Sequence, residues 1–196
     1  MLGNDVVDLR DPETRTRHPG FDARVFTRAE RCRLMRVADP HAMRQMLWAA
    51  KESAYKAARR IDPGTVFSPV RFEVERLANG IGCVRHASAR FRIALQRDGD
   101  CLHAVATHEH AQALPLLGVA VVHGRDPGRV ARSLAVAGVS RALGVGPGAL
   151  AVRRRGRIPE LHLEGSPLPA PLSLSHHGRF AAYAALATAP ATGTQH

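Results

Sequence analysis

The 196-residue chain has no apolar run near the roughly 20 residues that a membrane span needs. Its first residues show neither the basic segment nor the cleavable apolar stretch of a secretory signal. Three cysteines, Cys32, Cys83 and Cys101, are odd in number, far apart and without a CxxC pair. That pattern excludes a disulfide framework and a zinc ribbon. We therefore expect a globular cytoplasmic protein without a membrane-spanning segment.

Acidic residues are also scarce, since the chain has 17 Asp and Glu but 28 Lys and Arg. Its formal net charge is +11. An excess of this size suits nucleic acid, an anionic membrane surface, or an acidic protein or cofactor. Lysine is scarcer still, since Lys51 and Lys56 are the two lysines of the whole sequence. A compact ammonium and a guanidinium fork are not interchangeable, so the segment 51–56 is singled out as one that needs lysine.

Capping and hydrophobic patterns predict the first elements. Residues 2–9 read as a buried strand that carries Asp5 and Asp8 among apolar neighbours, and residues 10–19 read as a loop. Thr27 begins a short helix with a capping box. Asp39-Pro40 begins a long helix that ends near Arg60.

The later chain favours a second unit of the same kind. Period-two patterns at 70–77, 89–97 and 101–108, with turns at Asn79-Gly80 and Asp98-Gly99, predict three strands joined by hairpins. One strand, a helix over 128–143 and four short strands follow, before a tail over 187–196. The prediction is an α+β fold built from two similar halves as a pseudodimer, each with an antiparallel sheet packed on a long helix. We place the halves at 1–110 and 111–196.

One face of the long helix carries the chemistry. Trp48, Glu52 and Lys56 are spaced i, i+4 and i+8 and share one stripe. Taken alone, a Glu–Lys pair at this spacing is most often a solvated ion pair worth about 0.3–0.5 kcal/mol. Asp5 favours a functional site over a solvated ion pair, because burying an unpartnered carboxylate on a strand costs free energy. A buried acid beside an acid-and-lysine helix face meets the needs of a Mg²⁺–diphosphate site.

Several segments together are similar to a known family. The stretches GNDVVDL, FTRAE and WAAKESAYKA, followed by GRIPEL and SLSHHGRFAAYAA, occur in the order of its motifs. The chain thereby resembles the 4′-phosphopantetheinyl transferase superfamily, including its holo-acyl-carrier-protein synthase class.

The resemblance implies a reaction and a set of residues. Such enzymes move 4′-phosphopantetheine from coenzyme A to a serine of an apo acyl or peptidyl carrier protein and release 3′,5′-ADP. Asp5 and Glu52 would be Mg²⁺ ligands, and Glu52 and Lys56 the catalytic pair, with Lys56 on the phosphate. The implied coenzyme A contacts are then Lys56, Arg157, Ser175 and His176, with His176 at the 3′-phosphate. The serine proton would pass to Glu52 or to a metal-bound water.

Two departures from the family pattern lead to further expectations. Val7 stands where the large two-domain class has a second acid, and the next acid, Asp8, is nominally on the opposite strand face. We therefore expect a two-carboxylate site. The Ser-His half is C-terminal, so we expect a pseudodimer with permuted halves, complete as a monomer. Lys51 lies off the Glu52–Lys56 stripe and is expected at the site's edge or in a surface pair.

Two other classes of function remain open on sequence grounds. One is a transferase fold that binds coenzyme A or a carrier without turnover. The other is a basic nucleic-acid-binding module, against which stand the lack of a zinc finger, of RNP aromatics and of a convincing helix-turn-helix. The pair His176-His177 could equally be a solvated turn. Coenzyme A binding with Mg²⁺-dependent release of 3′,5′-ADP separates the three.

Overall fold

In the computed structural model, which describes residues 1–15 and 18–186, one strand and three helices are followed by five strands, a fourth helix and four more strands. The predicted tail over 187–196 lies outside the described residues. The strands of the described part are β1 (Leu2–Asp8), β2 (Glu73–Ala78), β3 (Ile81–His86), β4 (Ala89–Asp98), β5 (Cys101–His108), β6 (Leu116–Val121), β7 (Leu150–Arg155), β8 (Ile158–Leu163), β9 (Ser166–His177) and β10 (Phe180–Ala185). The helices of the described part are α1 (Phe21–Val25), α2 (Arg28–Leu34), α3 (Pro40–Ile61) and α4 (Pro127–Leu143), with 3₁₀ turns at Pro12–Thr14, Pro69–Arg71 and Pro147–Ala149.

The strands form two antiparallel five-stranded sheets. The first sheet has the order β1-β5-β4-β3-β2, and the second has the order β6-β10-β9-β8-β7. Helix α3 packs against β1 and β5 of the first sheet, and α4 packs against β10 and β6 of the second. The fold is α+β with two similar halves, as the sequence predicts.

The predicted helix starts are confirmed by their caps. The Thr27 hydroxyl accepts from the Glu30 N–H, and the Glu30 carboxylate accepts from the Thr27 N–H, which completes the capping box of α2. The Asp39 carboxylate accepts from the Ala42 N–H at 2.9 Å at the start of α3. These contacts satisfy N–H groups that a helix's first turn otherwise leaves unpaired.

Strand β1 joins the two halves because it is buried on both sides. Leu2 and Val6 pack toward Ala184 and Ala182 of β10, in the second sheet. The alternate residues of β1 face α3, since successive side chains of a strand point to opposite faces. A strand covered on both faces reads as a continuous buried run, which is why the sequence shows no polar–apolar alternation there.

Close contact between β1 and α3 depends on Gly3. A Cβ atom at Gly3 would lie 2.1 Å from the Ser53 carbonyl oxygen and 2.6 Å from the Ala57 nitrogen. The helix presents small residues to the strand, among them the fully buried Ala50 and Ala54. The close approach of β1 to α3 also brings Asp5, two residues further along the strand than Gly3, against the side chains of α3.

Two elements differ from the sequence-based predictions. Strand β3 was not predicted, and Asn79-Gly80 joins β2 to β3, with φ values of 50° and 74° that suit a tight hairpin turn. Its Gly82 and the exposed Ile81 obscure the period-two pattern. Helix α1 was also missed, because five residues after an N-cap glycine carry no periodic or capping signal.

The structure bears on two of the expectations drawn from the scarce residues, the state of the cysteines and the presence of membrane-spanning helices. All three cysteines are free, and Cys101 is buried. Within residues 1–15 and 18–186, no helix is long and apolar enough to cross a membrane.

Candidate active site

Asp5, Glu52 and Lys56 meet where β1 crosses α3. The Lys56 Nζ donates to Asp5 Oδ1 at 2.8 Å and lies 3.5 Å from Glu52 Oε2. Asp5 is 8% exposed, whereas Glu52 and Lys56 are half-buried. One ammonium thus lies between two carboxylates from different elements. The i, i+4 pair predicted from the sequence is not a solvated surface pair.

The charges of this cluster act strongly on one another. Burial raises the pKa of Glu52 above its ordinary value, and the negative charge of Asp5 raises it further against the opposing effect of Lys56. Burial acts to lower the pKa of Lys56, but Asp5 and Glu52 outweigh it and raise that pKa. Lys56 is therefore a permanent cation at neutral pH, held beside two carboxylates that repel each other.

A cavity of about 380 Å³ opens over these three residues. The first half contributes Trp48 as well, so the whole predicted stripe of α3 lines one space. The second half contributes His176 and His177, which follow one another at the end of β9. The cavity is therefore built by both halves of a single chain.

A second cavity, of about 210 Å³, adjoins the first at Lys56. Arg59, Arg60 and Arg157 line it, so its walls are strongly basic. Burial lowers the pKa of Arg60 to about 10, and its guanidinium donates to the Leu172 carbonyl across the halves. Arg157 and His176 consequently line different cavities and do not form a pair around one space.

Ser175 lies in a polar contact between the halves. Its hydroxyl accepts from Asn4 Nδ2 at 3.0 Å, and the Ser173 hydroxyl accepts from the Asn4 N–H at 2.9 Å. Asn4 Nδ2 also lies 3.0 Å from His103 Nε2. Burial lowers the pKa of His103 to about 4, so the ring is neutral at pH 7 and its Nε2 accepts. Ser175 is buried, and its side chain supports β1.

Asp8 points away from the Asp5 cluster, as its spacing on β1 predicts. Both of its carboxylate oxygens accept from the Arg179 guanidinium at 2.7 Å, and the Arg179 N–H donates to Oδ2 at 3.1 Å. The Arg10 N–H donates to Oδ1 at 3.0 Å. These hydrogen bonds from Arg179 lower the pKa of Asp8 to about 2. With its oxygens so engaged, Asp8 is an inter-half contact.

The Asp8 ion pair predicts a specific acid sensitivity. Because the pKa is about 2 when folded and near 3.8 when unfolded, the pair stabilises the protein above about pH 4 and is lost as pH falls toward 2. We expect the contribution to be on the order of 1 kcal/mol, since water screens the exposed side of Arg179. Urea unfolding of Asp8→Asn at several pH values should show a flatter loss of stability below pH 4 than the wild type. Parallel curves for the two proteins would contradict this assignment.

The expectation for Lys51 is wrong. It is 0% exposed, and its Nζ donates to Glu30 Oε2 at 2.8 Å and to the Pro69 and Phe72 carbonyls at 2.9 and 2.7 Å. Burial lowers the pKa of Lys51, and Glu30 opposes that shift. Three acceptors match the three donors of an ammonium. Lys51 thus ties α2 and the chain before β2 to α3 and does not reach the cavity.

The donor set of the cavity fits a magnesium ion. Mg²⁺ is commonly held by one or two carboxylates and completes its shell with phosphate oxygens and water. Asp5 and Glu52 offer two carboxylates close enough to share one ammonium, at the wall of an open cavity. Asp11, Glu13 and His177 form a second group whose ligand atoms lie within 4.8 Å of one another, and Glu13 and His177 line the same cavity.

Sequence reasoning missed several cavity residues, among them Glu13, Arg44 and Gln45. Arg44 lines the cavity and continues the stripe of Trp48, Glu52 and Lys56 one turn toward the helix start, so the same spacing would have found it. Its guanidinium is ion-paired with Asp22 at 2.8 Å. His177 was treated with His176 as one motif, and only the hairpin geometry distinguishes the two rings.

The chain resembles known proteins in its sequence family and in its fold. The family model of the 4′-phosphopantetheinyl transferase superfamily, ACPS, matches residues 1–114, which include β1 and α3. Among solved structures, the chain is similar to the holo-[acyl-carrier-protein] synthase of Thermotoga maritima, with 14% sequence identity and a TM-score of 0.44. That match covers 85% of this chain and 83% of the other. No curated protein matches the sequence significantly.

Proposed function

The chain belongs to the 4′-phosphopantetheinyl transferase superfamily, since more than half of it matches the family's model, and from this premise we propose its reaction. The protein transfers 4′-phosphopantetheine from coenzyme A to a serine of an apo acyl or peptidyl carrier protein in a Mg²⁺-dependent reaction, releasing 3′,5′-ADP. The observation that carries the proposal is the meeting of Asp5, Glu52 and Lys56 in a cavity walled by both halves.

The proposed step is a displacement at phosphorus. The carrier serine oxygen bonds to the β-phosphorus of coenzyme A, and the bond from that phosphorus to the bridging oxygen breaks, so 3′,5′-ADP leaves. Lys56 stabilises the charge that gathers on the diphosphate. Glu52 lines the cavity, and its carboxylate accepts the serine proton.

Asp5 and Glu52 are the residues that would hold Mg²⁺. When bound, the ion would supply positive charge to the diphosphate. The protein's own part is to keep the two carboxylates together. Gly3 and the small residues of α3 do so by bringing the strand against the helix.

The two halves take different parts of coenzyme A in this proposal. Residues 1–110 hold the metal and the diphosphate, and residues 111–196 bind the nucleotide end. His176 contacts the 3′-phosphate, Arg157 contacts the cofactor from the adjoining basic cavity, and Ser175 contributes through the support that it gives to β1. Because one chain supplies both walls of the cavity, the proposed active unit is a monomer. The proposed compartment is the cytoplasm.

Replacing His176 tests this division of the cofactor. Each charge-assisted contact to a phosphate contributes roughly 1.5–3 kcal/mol, so His176→Ala should raise the KM for coenzyme A by about tenfold or more. The KM for dephospho-coenzyme A, which lacks the 3′-phosphate, should change much less. His110→Ala, at an exposed ring far along the chain, is the matched control. An equal change for both cofactors would remove His176 from the 3′-phosphate.

The partner is proposed on charge. Carrier proteins of this system are typically acidic, and a chain of net charge +11 attracts them over a Debye length of about 8 Å. The association rate with an apo carrier should therefore fall as salt rises, while the dissociation rate changes less. Stopped-flow association at increasing NaCl measures both. An association rate that does not depend on salt would show that the basic surface serves something else.

The proposed function is tested by mass spectrometry of an apo carrier incubated with the protein, coenzyme A and Mg²⁺. We expect the carrier to gain one phosphopantetheine group on its serine, and the gain to disappear with a chelator or with a carrier Ser→Ala variant. Binding of coenzyme A without any gain, across both acyl and peptidyl carriers, would instead identify a binding protein with a transferase fold.

A further inference from the structure

The turn between β9 and β10 brings the second half to the active-site cavity. His176 and His177 end β9, Gly178 and Arg179 form the turn, and β10 begins at Phe180. Asp5, Glu52 and Lys56, on the other wall, all belong to the first half. The position of the two rings over the carboxylates therefore depends on how this turn is held against β1.

Asp8 holds that turn by side chain and backbone together. Its carboxylate accepts the two guanidinium hydrogen bonds and the backbone hydrogen bond from Arg179. Its own N–H donates to Nδ1 of His177 at 3.1 Å. Gly178, with φ of 51°, lies so close that a Cβ atom there would be 2.7 Å from Asp8 Oδ2. Three consecutive residues, 177–179, thus contact one residue of β1.

The same contacts fix the protonation pattern of the His177 ring. A nitrogen that accepts a backbone N–H carries no proton, so the neutral ring has its proton on Nε2. The ring also lines the cavity that contains Lys56. An imidazole held in this form offers one N–H donor, and phosphate oxygens are acceptors that it fits.

We propose that His177 is a substrate-binding residue that donates from Nε2 to a phosphate oxygen of coenzyme A, and that Asp8 and Arg179 are the positioning residues that hold its ring there. The inference rests on the proposed function for its ligand, but the contacts that position the ring do not depend on it. His177 differs in this role from His176, whose side chain is exposed and has a different strand face.

The positioning is tested without any activity measurement. Long-range ¹H–¹⁵N spectra of the imidazoles report which nitrogen carries the proton, and His177→Gln identifies the His177 signals. We expect the wild type to show His177 with its proton on Nε2, and Arg179→Ala to show it averaged between the two nitrogens. Arg10→Ala removes an equal charge from the exposed ion pair with Asp100, and we expect it to leave His177 unchanged. A His177 signal that stays fixed in Arg179→Ala would overturn the proposal.

The role in binding is tested by a double-mutant cycle. His177→Ala removes the proposed contact with the phosphate, and Arg179→Ala displaces the ring that makes it. Each variant should therefore raise the KM for coenzyme A by about tenfold. The double variant should match the larger single effect within about twofold, whereas independent residues would multiply their effects. Multiplied effects, or a normal KM for His177→Ala, would refute the assignment.

Two further outcomes are informative. If Arg179→Ala does not fold, Arg179→Gln replaces it in both experiments, because glutamine keeps the backbone N–H and one side-chain donor. The expected changes in the His177 spectrum and in the KM are then smaller. If the wild type shows the fixed His177 ring but transfers nothing to any carrier, the proposed function fails, while the positioning by Asp8 and Arg179 stands.

Discussion

Glu52→Gln is expected to lower turnover by a factor of about 10² or more. Glutamine keeps the shape of the side chain but removes one of the two negative charges in the cavity. That charge is half of the proposed Mg²⁺ ligand set and part of the environment that orients Lys56, 3.5 Å away. Asp5→Asn removes the other charge and should have an effect of the same order.

The loss of turnover in these variants should depend on the Mg²⁺ concentration. The Mg²⁺ concentration needed for half-maximal rate should rise in both variants, because each retains a single carboxylate ligand. Steady-state rates of carrier modification at varied Mg²⁺ measure this, with circular dichroism as the check on folding. Glu164→Gln, on an exposed turn before β9, makes the same chemical change away from the site and serves as the control. Near-wild-type rates for both Asp5→Asn and Glu52→Gln would disprove the site.

The largest effect on stability is expected at Lys51. Lys51→Met should lower the free energy of unfolding by about 3–5 kcal/mol, because it leaves Glu30 buried without its counter-charge. Glu30 is 0% exposed, and its two oxygens already accept from the Thr27 and Val74 N–H groups. The Pro69 and Phe72 carbonyls lose their donor as well.

Urea unfolding of Lys51→Met measures the loss. Arg85→Met is the matched control, since Arg85 pairs with Glu73 and Glu75 on the surface and should cost less than about 1 kcal/mol. Lys51→Met combined with Glu30→Gln should recover part of the loss, because no uncompensated charge remains. Equal losses for Lys51→Met and Arg85→Met would show that burial of the Lys51 pair has no energetic consequence.

The lysine pair marks the limit of what the sequence could predict. Its rarity correctly drew attention to 51–56, and i, i+4 spacing placed Lys56 beside Glu52. Nothing local could show that Lys51 meets Glu30, because their contact is made by the packing of α2 on α3. A charged residue off the functional stripe is normally solvated, so the pattern favoured a surface position for Lys51.

Elements with strong local signals were predicted well. Capping residues located α2 and α3, and the apolar flanks of Asp5 located β1. Strand β3 and helix α1 lack such signals and depend on their neighbours for stability. The division of the fold into two sheets followed from the order of elements alone.

The candidate site was predictable where one helix face or a family motif carried it. Asp5, Glu52 and Lys56 came from spacing and resemblance, and they meet. The second half was harder, because the direction of each side chain on β9 is set by how that strand meets β1. Ser173, Ser175 and His177 share the face toward β1, which turns the Ser175 hydroxyl to Asn4 and leaves His176 exposed. Sequence alone could not separate Arg157 from His176, since their cavities are divided by the tertiary fold.

Counting both products of one reaction tests the proposed transfer most directly. The wild-type protein, coenzyme A, Mg²⁺ and an apo carrier are incubated, and 3′,5′-ADP is quantified by chromatography while the carrier is weighed by intact mass spectrometry. We expect one 3′,5′-ADP for each phosphopantetheine gained, and neither product in the presence of a chelator. Coenzyme A that binds but yields neither product, or product formation unaffected by the chelator, would contradict this expectation.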